Sequence, residues 1–252
     1  MKSLKELYRI GKGPSSSHTM GPHKAATIFA GRNSGAASFE VTLYGSLAAP
    51  GKGHLTDKAI EEVLTPLAPT TIVWKPETTL EYHPNGMMFR AFGNDGTMTD
   101  EWTVFSIGGG ALSEGKEDGV LATPEVYGMN TLKEIMQWCL DNGRGYWEYV
   151  EECEGPEIWD FLQTVWEAMQ QSVENGLEHE GVLPGPLHLP RKAANYYIKT
   201  KSFRTSLQSR GLVFSYALAV SEENAAGGTI VTAPTCGSCG VVPSVLYHLS
   251  HG

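Results

Sequence analysis

Phe39-Glu40-Val41-Thr42-Leu43-Tyr44 is the stretch that decides the fold class. Apolar and polar residues alternate through it, which is the period of a half-buried β-strand. Before it, Pro22 to Arg32 reads as a short helix with proline in its first turn. After it, Ile60, Val63, Leu64 and Leu67 recur at helical spacing behind a Thr56 or Asp57 cap. Thr71 to Lys75 reads as a second strand. Leu80 to His83, Met87 to Phe92 and Thr97 to Ile107 read as three more, with Pro84-Asn85-Gly86 and Asn94-Asp95-Gly96 as the turns between them. Helix, strand, helix, strand and meander predict an α+β layer, with helices on a mixed or antiparallel sheet.

Further along, residues 108 to 130 are Gly-rich and irregular. A helix follows, with Asn130 as its cap and Leu132, Ile135, Met136, Cys139 and Leu140 on one face. Glu151-Glu152-Cys153-Glu154-Gly155-Pro156 breaks the composition. It predicts an α+β domain over 1–150 and a second domain over 155–252. The second domain is expected to be all helical. Ile158, Phe161, Leu162, Val165, Trp166, Met169 and Val173 form an apolar stripe behind Pro156. Leu212 to Val220 is apolar all round, as a buried helix would be, and Gly227-Gly228 would end it. The chain stops at Gly252, soon after Pro243 opens another helical pattern, so this domain is expected to be incomplete.

Composition narrows the function. Hydrophobic residues make up 41% and charged residues 19% of 252, which excludes a mainly disordered chain. Nineteen basic against 28 acidic residues, a formal charge of -9, argue against a nucleic-acid-binding surface. No apolar run approaches the ~18–20 residues that span a membrane, and the first residues carry no secretory pattern. A cytoplasmic protein is expected, and four cysteines without a disulfide framework agree with that compartment.

Several segments could carry chemistry. Gly13-Pro14-Ser15-Ser16-Ser17-His18-Thr19-Met20-Gly21-Pro22 sets hydroxyls and an imidazole directly before a helix start. It reads either as a carboxylate or phosphate site or as a capping loop with a solvated histidine. Gly51-Lys52-Gly53-His54 resembles a phosphate loop. Its spacing from Gly45 and the glycine at 53 exclude a nucleotide site, which leaves a flexible loop presenting His54. His83 precedes an Asn-Gly turn. Ser106-Ile107-Gly108-Gly109-Gly110 permits a close backbone approach or a sharp exit turn. In Thr235-Cys236-Gly237-Ser238-Cys239 the Cys-x-x-Cys pair reads as a zinc half-site, a redox dithiol, part of an iron–sulfur site or two inert thiols. No second ligand pair supports zinc. The helix start near Pro243 is expected to lower the pKa of Cys239 and favour its thiolate.

Together these strings resemble the iron–sulfur-dependent L-serine dehydratases. The resemblance rests on GPSSSHTMGP (Gly13–Pro22), YGSLAAPGKGHLTDKAI (Tyr44–Ile60), HPNGMMF (His83–Phe89) and SIGGG (Ser106–Gly110). It continues in GVLPGPL (Gly181–Leu187), Arg191-Lys192-Ala193-Ala194, YALAVSEENAAGG (Tyr216–Gly228) and VTAPTCGSCGVVPSVL (Val231–Leu246). It covers nearly the whole chain, in order. It implies a β domain followed by a helical, cluster-bearing α domain, and a reaction that takes L-serine to pyruvate and ammonia.

The implied cofactor is a 4Fe-4S cluster held by three cysteines, with one iron open to substrate. Cys239 matches the first ligand, and the other two fall past the end of this chain. Cys236 departs from the pattern, since many members carry Asn there, and it is not counted as a ligand. His54, His83 and His18 are the implied catalytic histidines, with His54 the first choice of base. Ser15, Ser16, Ser17 and Thr19 are assigned to the substrate, and Asn224 and Thr235 to its support. A homodimer is implied, while no nucleic acid and no membrane are expected as partners. This polypeptide alone is expected to be inactive. The rival readings are an amino-acid-binding module and a cluster-dependent elimination from threonine or cysteine.

Overall fold

The computed structural model describes residues 1–49, 51–115, 125–185 and 187–251. Part of the Gly-rich stretch, Pro50 and Pro186 of two quoted strings, and Gly252 lie outside the described residues. The sheet forms where alternation predicts it. Strands β2 (Ser38–Tyr44), β3 (Thr70–Lys75), β4 (Gly86–Phe92), β5 (Met98–Gly108) and β6 (Ala111–Ser113) lie in the order β3-β2-β4-β5-β6. β2 and β3 are parallel, and the other neighbours are antiparallel. The sheet is therefore mixed, and the fold is α+β.

Register follows the alternation. Phe39, Val41 and Leu43 face inward with Met87, Phe89, Ala91 and Val104. On the opposite face Glu40 sits across from Arg90, and Arg90 across from Glu101, as a charged cross-strand ladder. Helices α2 (Gly21–Arg32) and α4 (Thr56–Leu64) cover the apolar face with Ala25, Ala26, Phe29, Ile60 and Leu64. Phe29 is fully buried against Phe39, Phe89 and Trp102. Each such side chain contributes about 1.5–3 kcal/mol by leaving water.

Three local expectations are corrected here. Leu80 to His83 is not a strand. It is part of a loop whose Thr78 and Pro84 carbonyls accept hydrogen bonds from Gly45 and Ser46 at the start of the short helix α3 (Gly45–Ala48). Asn85-Gly86 therefore makes no hairpin. Instead Asn85 pairs with Ser106 through both backbone and side chain. The cap of α4 is Leu55 in left-handed backbone, while Thr56 and Asp57 lie buried inside the first turn. Gly108, Gly109 and Gly110 all take positive φ and turn β5 into β6, so the sharp-turn reading of this tract holds.

Beyond the sheet, α5 (Leu132–Asn142) is capped by Thr131, not Asn130, because Thr131 and Glu134 close a reciprocal capping box. α6 (Tyr146–Glu154) follows, and Gly155 ends it at φ 82. The helical half is α7 (Ile158–Glu178), α8 (Ala193–Lys201), α9 (Thr205–Ala225) and α10 (Val241–His251). Ile158, Val165, Met169 and Val173 of the predicted stripe are buried. Leu212 to Val220 is not buried all round, since Phe214 is 54% exposed.

This half is not wholly helical either. Strand β7 (Thr229–Val231) pairs antiparallel with β1 (Ile10–Lys12), which follows the short helix α1 (Leu4–Leu7). Three residues give too short a period to be read from sequence. Their pairing is nonetheless what brings the two ends of the chain together.

Candidate active site

The β1–β7 ribbon sets Gly13 beside the end of α9. Gly13 N donates to Gly228 O at 3.0 Å. A Cβ on Gly13 would lie 2.2 Å from the Asn224 carbonyl oxygen and 2.3 Å from Asn224 Oδ1, so only glycine permits the approach. Asn224 Nδ2 donates to Pro14 O at 3.4 Å, and its Oδ1 is buried without a partner. The peptides Gly13–Pro14 and Ala233–Pro234 on either side of this junction are cis.

From Gly13 the chain enters a π-helical turn (Ser16–Met20) that runs into α2. The Ser15 hydroxyl caps it by accepting from His18 N at 3.1 Å. The Ser17 hydroxyl lies 2.9 Å from His18 Nδ1, and His18 Nε2 lies 2.9 Å from the Ser46 carbonyl oxygen. A carbonyl only accepts, so Nε2 carries the proton and Nδ1 accepts from Ser17. Burial pushes the His18 pKa below its ordinary 6.5. The Ser46 carbonyl opposes that shift, and repulsion from His54 adds to it. His18 is thus neutral near pH 7 and fixed at both nitrogens.

His54 packs against it, with ring centroids 4.7 Å apart and planes at 73°. The Thr19 hydroxyl holds the His54 backbone by donating to its carbonyl at 2.8 Å. The His54 Nδ1 atom is buried and has no partner. An orphaned buried imidazole nitrogen is a candidate to exchange a proton with a ligand.

The fold therefore unites His18, His54, Ser15, Ser17 and Thr19 in one contact network, and joins Asn224 to the loop that leads into it. His83 lies one residue before Pro84, whose carbonyl accepts from Ser46 N, and its Nδ1 accepts from Asn85 N at 3.1 Å. Thr235 is exposed, and its hydroxyl lies 3.2 Å from that of Ser238. Reading the sequence missed Ser46, although it stands inside a quoted string. A backbone carbonyl carries no residue-type signal.

The motif Glu222-Glu223 proves to be structural. Glu222 accepts from the backbone N–H groups of Lys192 and Ala193, capping α8 from a distance. Glu223 is buried and pairs with Arg191 at 2.7 Å and His179 at 2.9 Å.

Cys236 and Cys239 flank a 3-10 turn (Cys236–Ser238) just before α10, and both are buried. Contrary to the helix-start expectation, burial pushes the Cys236 thiol up to about 11. It pushes Cys239, with help from Cys236, up to about 12. α10 begins two positions past Cys239, and loss of water outweighs its dipole. Among the described residues no three His, Cys, Asp or Glu side chains gather as a metal site. No described helix is long and apolar enough to cross a membrane.

Comparison with known proteins fits this arrangement. Residues 3–72 match the family model for the serine dehydratase beta chain, and residues 73–251 match that for the serine dehydratase alpha chain. The two matches meet inside β3, so one sheet is shared between them. The L-serine dehydratase of Haemophilus influenzae is 36% identical over 98% of this chain and 66% of its own length. L-serine dehydratase 1 of Escherichia coli is 34% identical over 100% of this chain and 66% of its own length. The L-serine dehydratase of Streptomyces coelicolor is 33% identical, with 98% and 65% covered. The chain thus spans just under two thirds of the length of these relatives. With matches that run from residue 3 to residue 251, the chain belongs to the serine dehydratase family.

Proposed function

We propose that the protein carrying this chain is an L-serine dehydratase, converting L-serine to pyruvate and ammonia. The observation that carries the reading is the junction itself. Two imidazoles are in contact: His18 on the Ser-rich turn that Gly13 joins to Asn224, and His54, which packs against it and keeps an unpartnered buried nitrogen. In this reading the layer 1–150 brings the substrate-facing loops, and 155–252 brings Asn224 and the thiols.

Elimination needs a base at the substrate Cα and a way to expel the β-hydroxyl. His54 Nδ1 takes the Cα proton. Such a positioned base adds ~10²–10⁴ in rate. His18, held by Ser17 and Ser46 and with its pKa lowered by burial, lies beside His54 as a neutral ring, so the proton arrives without a second positive charge nearby. Asn224 Oδ1, an acceptor without a partner, suits the substrate ammonium. Ser15 and Ser17 are spent on holding the turn, which leaves Ser16 as the hydroxyl for the carboxylate. His83 and Thr235 are assigned supporting roles in this reading. The enamine released on loss of water tautomerises to an imine and hydrolyses to pyruvate and ammonia.

A 4Fe-4S cluster needs three or four thiolates. The described residues do not complete such a site: Cys239 offers one ligand, and the others would come from outside them. When bound, the cluster supplies an electrophilic iron for the leaving hydroxyl. That same shortage favours a second reading for this chain taken alone, a module that binds a small amino acid without turning it over.

The native gene product, purified without oxygen and given iron and sulfide, separates the readings. Iron uptake with pyruvate formed from L-serine faster than from L-threonine or L-cysteine supports the proposal. A colourless protein that binds L-serine and releases no pyruvate supports the module. Faster elimination from L-threonine or L-cysteine reassigns the substrate.

A further inference from the structure

Strand β1 has one neighbour, β7, and its other edge is free among the described residues. Thr232 N donates to Arg9 O and Gly13 N to Gly228 O, so Arg9, Gly11 and Gly13 are the positions bonded across the ribbon. In an antiparallel pair such positions alternate with ones whose main-chain groups face outward. The N–H and C=O groups of Ile10 and Lys12 therefore point away from β7, and no loop among the described residues bonds them. A cleft of about 680 Å³ borders every residue from Tyr8 to Lys12. One face of a strand would supply only alternate residues, so the cleft follows the edge. Met20 and, on α2, Lys24 and Ile28 form one wall, and Phe161 of α7 forms the other. Met20 clusters with Ile230, whereas Tyr8 and Phe161 cluster with Val231, which places the two walls on opposite faces of the ribbon.

The lining is basic, although the chain carries a formal charge of -9. Lys5, Arg9, Lys12 and Lys24 border the cleft with a single carboxylate, Glu6. Arg9 is spent on Glu6 and the Gly109 carbonyl, and Lys12 on Glu62. Lys5 and Lys24 are exposed and have no ion-pair partner among the described residues. Lysine on a short edge strand also keeps stray strands away. Here Glu62 neutralises the edge lysine, and the unspent cations stand on α1 and α2, so the charge selects an acidic occupant. We propose that this cleft binds an extended acidic peptide segment, which adds to β1 as a further strand. The peptide main chain bonds the outward groups of Ile10 and Lys12. A strand that alternates acidic and apolar residues turns its carboxylates to the wall with Lys24 and its apolar side chains to the wall with Tyr8 and Phe161. At ~3.3 Å per residue, the edge from Tyr8 to Lys12 takes a segment of about five residues. Lys5, Ile10, Lys12 and Lys24 take no part in the proposed serine site, so the inference stands apart from that reading.

The test titrates the native gene product into a fluorescein-labelled Glu-Val-Glu-Val-Glu amide and follows anisotropy. Saturable binding is expected, with amide hydrogen exchange slowed over the segment that holds Ile10 and Lys12. The charge-reversed peptide Lys-Val-Lys-Val-Lys should not bind. The acidic peptide N-methylated throughout, which donates no main-chain hydrogen bond, should bind at least ~10-fold more weakly. Lys5→Glu/Lys24→Glu should weaken binding of the acidic peptide roughly 10-fold, and circular dichroism confirms that the variant is folded. Lys199→Glu, on the exposed side of α8, should bind as the parent does. The proposal is overturned if the acidic peptide does not bind, or if the N-methylated or charge-reversed peptide binds as tightly. It is also overturned if Lys5→Glu/Lys24→Glu loses no more than Lys199→Glu, or if exchange slows only elsewhere. Displacement of the peptide by inorganic phosphate at equal concentration would overturn it too, by making the cleft a plain anion site.

Discussion

The sheet layer and the helical half treat their apolar residues differently. In the first, Phe29, Phe39, Val41, Leu43, Ile60, Leu64, Met87 and Phe89 close on one another and leave almost nothing of themselves in water. In the second, Ile158, Val165, Met169 and Val173 are inside, yet Ile198 is 65% and Leu249 72% exposed. Periodicity says which face of an element is apolar and is silent on what covers it. A sheet with two helices on one face covers itself. Four helices joined by loops leave several apolar faces outward, and the proposed site lies where α9 meets the loop from β1.

That contrast can be broken or sharpened by substitution. The largest effect belongs to the closed core. Phe29→Ala should cost about 3–5 kcal/mol, since three aromatic neighbours cannot all move in to fill the space. Urea denaturation measures it, and a loss below about 1 kcal/mol would mean that this core is loosely packed.

In the helical half the comparable cost is electrostatic. Glu223→Ala strips Arg191, only 10% exposed, of its buried partner, for about 3 kcal/mol by the same measurement. If Glu223→Ala were neutral, the pair would not be what fixes α8 against α9.

A smaller effect comes with pH at the junction. The folded His18 pKa lies below its unfolded value near 6.5, so in that window the unfolded chain binds the extra proton. Stability then rises with pH through the window and is lost as pH falls through it. Comparing urea midpoints between about pH 5 and 7 for the parent and His18→Gln isolates this slope, which should be shallower in the variant. An unchanged slope would place His18 in water.

The smallest effect is Phe214→Ser, on the exposed side of α9, within about 0.5 kcal/mol of the parent. A loss near that of Phe29→Ala would show that α9 is covered in solution.

Much of the layer was legible in the sequence. Phe39 to Tyr44, Thr71 to Lys75 and Met87 to Phe92 were readable as strands, but their order β3-β2-β4 was not, since pairing joins segments apart in the chain. Leu80 to His83 misled because four residues of mixed polarity carry no reliable period, and here the loop's carbonyls serve α3 instead. Thr131 outranked Asn130 as a cap because Glu134 stands three residues later to close the box. Within the site, Ser15 to Thr19 and His54 stood out as loop motifs, and their roles came from the family resemblance. Their contact was not visible, because it depends on how the Ser16–Met20 turn packs against the segment leading into α4, more than thirty residues on. The Cys239 thiol was misjudged for the same reason. A helix start is local and readable, whereas burial is set by Val173, Tyr216 and Ile230 arriving from elsewhere.

The central claim is that the unpartnered nitrogen of His54 removes the proton from the substrate. Turnover of L-serine by the native gene product, prepared without oxygen and loaded with iron, tests it most directly when compared with His54→Ala. The account predicts equal iron content and at least a ~100-fold fall in the rate of pyruvate formation. Equal iron with an undiminished rate would contradict it.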